Sequence, residues 1–124
     1  MPTKSNSVST SSSKIGGMSN YHYGVRAETR AGEVLAKATN GIAIQSPGSR
    51  GSADVTVHCL TRTYDMQCKA SRSTTKSEPY CPPAEVSRLV SDSLSKGHIP
   101  VISLQKGGHG EIRHAITGQL IAKH

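Results

Sequence analysis

Two short runs of strict alternation limit what this chain can fold into. In "DVTVHCL", Val55, Val57 and Cys59 point one way, and Asp54, Thr56 and His58 the other. In "YDMQCKA", Tyr64, Met66, Cys68 and Ala70 share one face, and Asp65, Gln67 and Lys69 the opposite one. The "TRT" between them can make a hairpin connection, so the runs predict paired strands with one apolar face. Such a face must be covered by another layer.

Two amphipathic segments are available to cover it. At about 100° per residue, "VRAETRAGEVLAKA" gathers Ala31, Val34, Leu35 and Ala38 into a stripe, with Arg26, Arg30, Glu33 and Lys37 opposite. Gly32 weakens this helix slightly. Asn40–Gly41 is its expected stop, with the glycine taking the left-handed conformation. "PPAEVSRLVSDSLSKG" opens on proline and closes at Gly97, with Val86, Leu89, Val90 and Leu94 as its expected buried stripe. Three further runs read as strands: "GIAIQ", in which Ile42 and Ile44 alternate, "IPVISLQ" and "EIRHAIT". "SRSTTKSEPYCPP" reads as a polar loop, and "GQLIAKH" carries no decisive pattern. The order α, β, β, β, α, β, β predicts an α/β fold, a mixed sheet with helices against it.

A chain of 124 residues without Phe or Trp has a core built almost wholly of Val, Ile, Leu and Ala. Small domains are marginal, so self-association is expected. The Ser-rich residues 1–20 read as a disordered tail, leaving 21–124 as the folded domain. The segment "MPTKSNSVSTSSSKIGG" has no apolar stretch of the kind a secretory signal requires, and no run approaches a membrane span. Three cysteines without a CxxC spacing point to a reducing compartment, the cytoplasm. The histidines and cysteines have no zinc-finger spacing. Fifteen Lys and Arg against eight Asp and Glu, a formal charge of +7, suit a polyanion such as nucleic acid.

Cutting a phosphodiester requires a metal on the scissile phosphate, an activated water and a cation for developing charge. Magnesium takes oxygen ligands and keeps several waters, so one or two carboxylates suffice. Asp54 at a strand start supplies one, Gln67 offers an amide carbonyl, and the backbone carbonyl of Cys68 adds an oxygen. Lys69, two residues after Gln67 on the same face, can orient the attacking water or stabilise charge. Asp, Gln and Lys on strands are more often solvent-facing residues of a half-exposed sheet, so the spacing alone does not single out a site. Asp65 shares their face and reads either as a further acid near the metal or as a solvated hairpin residue. Glu28 lies beside the apolar stripe of the first helix, where a carboxylate must be paired, neutral or metal-bound. A favourable place near the helix N-terminus accounts for it as well.

In these residues the chain resembles the archaeal Holliday-junction resolvases, a branch of the PD-(D/E)xK nucleases. The resemblance runs from about residue 21 to 117 through "GVRAE", "SPGS", the strand-opening Asp54 and "QCK". It implies a restriction-endonuclease-like fold and a Mg2+-dependent endonuclease, with Mn2+ as a substitute ion. The substrate would be four-way DNA junctions, cut by paired phosphodiester hydrolysis in a homodimer. It also implies that Glu28 projects to the metal with Asp54, Gln67 and the Cys68 carbonyl, that Ser49 contacts the scissile phosphate or a water, and that Lys69 assists the nucleophile. Arg30, Arg50, Arg72, Lys76 and Tyr80 are the expected DNA contacts. Two departures stand out: Ala53 precedes Asp54 where the family name has proline, and Gln67 replaces the usual acid. Q-x-K variants occur among related nucleases, including Mrr-type enzymes. A related endonuclease acting on duplex or modified DNA, and a non-catalytic DNA-binding module, are the alternative readings.

Overall fold

The computed structural model describes residues 20–46 and 51–124, so the Ser-rich segment 1–19, Ser49 and Arg50 lie outside the described residues. The elements are α1 (Asn20–Thr39), β1 (Ile42–Gln45), β2 (Val55–His58), β3 (Thr63–Ser71), α2 (Pro83–Ser95), β4 (Ile99–Lys106), β5 (His109–His114) and β6 (Leu120–Lys123). The strands form one sheet in sequence order. Neighbouring strands are antiparallel except β3 and β4, which run parallel. A parallel pair needs a crossover connection, and α2 supplies it. The mixed sheet with helices against it is thus the expected α/β architecture. "GQLIAKH" resolves into a sixth strand.

The alternation in β2 and β3 sorts side chains between two layers. Val55, Val57, Tyr64 and Met66 meet Ala31 and Leu35 of α1 in the core, joined by Val101 and Ile112. The other face of β3 turns to α2, which packs on β3 and β4. The expected α1 stripe needs one correction: Ala38 is exposed, and Ala27 takes its place beside Ala31 and Leu35. These positions are four apart, so the contact line runs nearly along the helix axis.

Gly32 is explained by proximity. A Cβ there would lie 3.1 Å from Val55 Cγ1 and 3.2 Å from Ala43 Cβ. The missing side chain lets α1 settle close to β1 and β2, one turn beyond Glu28. At the helix end the left-handed residue is Asn40, with φ of 59°, not the glycine after it. Gly41 is needed for space, since a Cβ would fall 2.8 Å from the His58 carbonyl oxygen, Cys59 Sγ and Val57 Cγ1. Backbone cannot yield as a side-chain tip can, so Gly41→Ala is expected to cost about 1–3 kcal/mol, read as a lower denaturant midpoint at unchanged slope.

α2 ends as expected, with Gly97 at φ 74°, but its buried line differs. Leu89 and Ser93 are buried, while Leu94 is 57% exposed. This rotation turns a polar contact into the interior. The Ser93 hydroxyl donates to Asp65 Oδ2 over 3.0 Å, and Asp65 is only 3% exposed. His98 Nδ1 lies 2.9 Å from the same oxygen, and the Thr56 hydroxyl donates to Oδ1 at 3.3 Å. Neither sequence reading of Asp65 survives, because it is a buried, hydrogen-bonded anchor between β3 and the end of α2. On the edge strand β1, Ile42 and Ile44 are 71% and 54% exposed, and Ala43 is the residue packed on the core.

Candidate active site

β2 stops one pair short of where β3 could continue to bond. The last registered pair is Val55 with Met66, although Asp54 N–H still donates to the Met66 carbonyl at 2.8 Å. Cys68 N–H, the next β3 donor facing that side, goes to Asp54 Oδ2 at 2.8 Å. The carboxylate thus substitutes for the missing strand and is pinned at the end of the sheet. The chain before it is closed by Ser46 N–H donating to the Asp54 carbonyl, 2.8 Å.

This gap lets both layers reach one place. A cleft of about 520 Å3 is lined by Glu28 from α1, Gly51, Ser52 and Asp54 before β2, Gln67, Cys68 and Lys69 of β3, and Glu85 and Arg88 of α2. Glu28, Asp54, Gln67, Cys68 and Lys69 are therefore neighbours in space, although 41 positions separate Glu28 from Lys69 in the sequence. Lys69 Nζ lies 2.7 Å from Glu85 Oε1. Sequence reasoning missed Glu85 and Arg88. The polar loop after β3 hides where α2 lands, and an acid in a first helical turn looks like ordinary dipole chemistry.

The electrostatics are those of an anionic site wanting a cation. Burial raises the Glu28 carboxyl above its ordinary range, and the Asp54 charge adds to this, partly offset by the Gln45 side chain. Burial also raises Asp54, against the Cys68 N–H and the Lys69 charge, which favour its ionised form, while Glu85 pushes it further up. Burial opposes the charge on Lys69, but Glu85 outweighs it and holds the ammonium above the usual lysine range. Lys69 is therefore a cation at neutral pH and suits charge stabilisation, not proton abstraction. Burial, then Asp54 and Glu28, push the Cys68 thiol well above its ordinary value, so it offers no thiolate.

Among the described residues no group of three or more His, Cys, Asp and Glu is arranged to hold a metal ion. The oxygen donors of this cleft are two carboxylates, Glu28 and Asp54, with the Gln67 amide beside them. Glu85 is occupied by Lys69. That set fits a hard ion that retains most of its waters, as magnesium does, and not zinc, which prefers several N or S ligands.

The raised carboxyls give a pH prediction. A carboxyl with a raised folded-state pKa binds more protons folded than unfolded, so its contribution to stability falls as pH climbs through the window above its ordinary value. For Glu28 that window opens at 4.5. Metal-free wild type should lose melting temperature across it more steeply than Glu28→Gln. Magnesium should recover the difference in wild type alone. Parallel curves for the two proteins with and without magnesium would refute this.

The remaining sequence-selected residues are dispersed. Arg72 stacks over the Tyr23 ring at 4.7 Å. Both line a pocket of about 380 Å3 that shares Glu28 and Cys68 with the cleft. Tyr23 is fixed in turn by its hydroxyl donating to the Ser71 carbonyl, 2.8 Å. Arg30 donates to the Gly108 carbonyl at 2.8 Å and lines a separate pocket with Tyr23, Arg26 and Gln105. Lys76 and Tyr80 are exposed on the loop between β3 and α2, outside the cleft lining.

No protein-family model and no curated protein matches the chain. Among solved structures it is similar to Hjc of Archaeoglobus fulgidus, a Holliday junction resolvase from an archaeal hyperthermophile. The likeness spans 75% of this chain and 73% of that one, with a TM-score of 0.60 and 19% sequence identity. It is a likeness of fold.

Proposed function

We propose that this chain is a metal-dependent endonuclease that cuts four-way DNA junctions. The observation that carries the reading is the convergence of Glu28, Asp54, Gln67 and Lys69 in one cleft at the end of β2, on a fold similar to that of Hjc. Glu28, Asp54 and Gln67, with the Cys68 carbonyl, would hold Mg2+ or Mn2+. The bound ion would polarise the scissile phosphate and lower the pKa of a coordinated water. Asp54 is held in place for this by the Cys68 N–H, and Glu28 by the close seating of α1. The Lys69 ammonium would orient the water and stabilise charge as the water oxygen bonds to phosphorus and gives its proton to solvent, while one ester P–O bond breaks with its electron pair on the departing oxygen, which takes up a proton from solvent. Arg72, which lines one pocket with Glu28, would meet a phosphate along the strand, and Ser49 and Arg50 belong to the segment leading to Asp54. Arg30, Lys76 and Tyr80 would contact DNA away from the cleft. The formal charge of +7 supports a polyanionic substrate.

A homodimer would match the two-fold symmetry of a junction and place two cuts on opposite strands. Exposed Ile42 and Ile44 on the edge strand support association, which sedimentation velocity tests directly.

The test of function is to incubate labelled four-way junction and labelled linear duplex with the protein and magnesium. Paired nicks confined to the junction are expected. Cutting of the duplex would replace this reading by that of a less selective nuclease, and binding without cutting would reduce the protein to a DNA-binding module.

A further inference from the structure

The cleft carries three carboxylates, Glu28, Asp54 and Glu85, against two cations, Lys69 and Arg88. Without Glu85 these formal charges would cancel, and the attraction of the cleft for a divalent ion would be weaker. In an acid-x-Lys arrangement the third carboxylate stands two residues before the lysine. Here that position is Gln67, which is neutral. Glu85 comes from another element, the first turn of α2, yet its Oε1 lies 2.7 Å from Lys69 Nζ.

We propose that Glu85 is a positioning residue of this site: from α2 it supplies the negative charge that residue 67 lacks, and it holds the Lys69 ammonium in the cleft. The inference rests on reading the cleft as a nuclease site. A purely stabilising pair does not explain the arrangement. The side chains of Lys69 and Glu85 are 30% and 43% exposed, and ion pairs so open to water add little to folding. What the pair does accomplish is geometric. A lysine on a flexible four-carbon stem, rooted on β3, is tied at its far end to the opposite layer. It therefore stays beside Asp54 instead of sampling solvent. The buried Asp65–Ser93 contact fixes α2 against β3, so the helix that carries Glu85 is itself anchored.

The ordinary role for a first-turn acid is to favour the positive end of its helix. That role makes Glu85 indifferent to the residue at position 67, whereas a relocated charge makes the two positions interchangeable. The test therefore compares wild type, Glu85→Gln, Gln67→Glu and the double variant Q67E/E85Q. Two readouts are taken: Mn2+ binding to the DNA-free protein by electron paramagnetic resonance, and single-turnover cleavage of a labelled junction in magnesium. Glu85→Gln should weaken Mn2+ binding and slow cleavage by about 10- to 100-fold each, the usual effect of removing a partner that orients a metal site. Junction affinity should stay unchanged, and Q67E/E85Q should regain most of both losses. The proposal is overturned by a Glu85→Gln protein that binds Mn2+ as wild type does, or by a double variant that regains nothing. If wild type binds Mn2+ but leaves junctions intact, the nuclease reading fails, while the Mn2+ series still decides the role of Glu85.

Discussion

Asp54→Asn is expected to stop junction cleavage while leaving junction binding in place. The substitution is close to isosteric, and its amide oxygen can still accept from Cys68 N–H, which lies 2.8 Å from Asp54 Oδ2. The end of the sheet therefore stays closed, and the neighbouring positions of Gln67 and Lys69 are kept. What disappears is one of the two carboxylates available to a metal. Loss of a single well-placed electrostatic group in an active site commonly costs about 10²–10³-fold in rate, and the loss here should be at least that large. Binding should persist, because affinity for DNA comes mainly from phosphate contacts spread over a basic surface. Folding should not suffer either. The Asp54 carboxyl is raised chiefly by burial, so its ionisation works against the folded state above its ordinary range, and the neutral variant escapes that cost. Cleavage in excess protein, read beside a gel-shift titration, checks both halves. Wild-type cutting by Asp54→Asn would move the chemistry out of this cleft altogether.

The second large effect lies away from the cleft. Asp65→Ala removes an acceptor shared by Thr56, Ser93 and His98, at a site only 3% exposed. Leaving a buried hydrogen-bonding group without its partner typically costs about 1–3 kcal/mol, and this substitution strands more than one. At roughly 4–8 °C per kcal/mol for a domain of this size, the melting temperature should drop by well over ten degrees. Asp65→Asn keeps the volume and one acceptor, and should cost clearly less. Because the network seats α2, and α2 carries Glu85 and Arg88, Asp65→Ala should also slow cleavage at temperatures where it is still folded. Thermal unfolding of the three proteins gives the first result and junction cleavage at low temperature the second. An Asp65→Ala protein that melts within a few degrees of wild type would show that packing alone holds α2 in place.

How much of this site could be read from residues in a row depends on the link considered. Asp54, Gln67 and Lys69 were accessible because their chemistry sits on a hairpin, where alternation assigns each side chain a face. Glu28 was accessible as an acid beside an apolar stripe, but what it approaches is settled only by the seating of α1 at Gly32. Glu85 was not accessible at all. Its partner Lys69 lies 16 residues earlier, across a proline-closed loop whose path carries no periodic signal. Asp65 misleads along the chain for a related reason: its partners Ser93 and His98 lie 28 and 33 positions away. A residue that looks solvent-facing on its own hairpin is covered by a helix arriving from elsewhere.

The one-dimensional pattern determined the number and kind of most elements, the two faces of the central hairpin and the order in which acids and lysine appear. Tertiary structure alone decided that Ser93 and not Leu94 is buried, that Ala27 replaces Ala38 and that Ile42 and Ile44 stay uncovered. It also brought Glu85 to Lys69. The division has a physical basis. Periodicity records where a side chain points relative to its own backbone, whereas burial and pairing depend on which distant element comes to rest there.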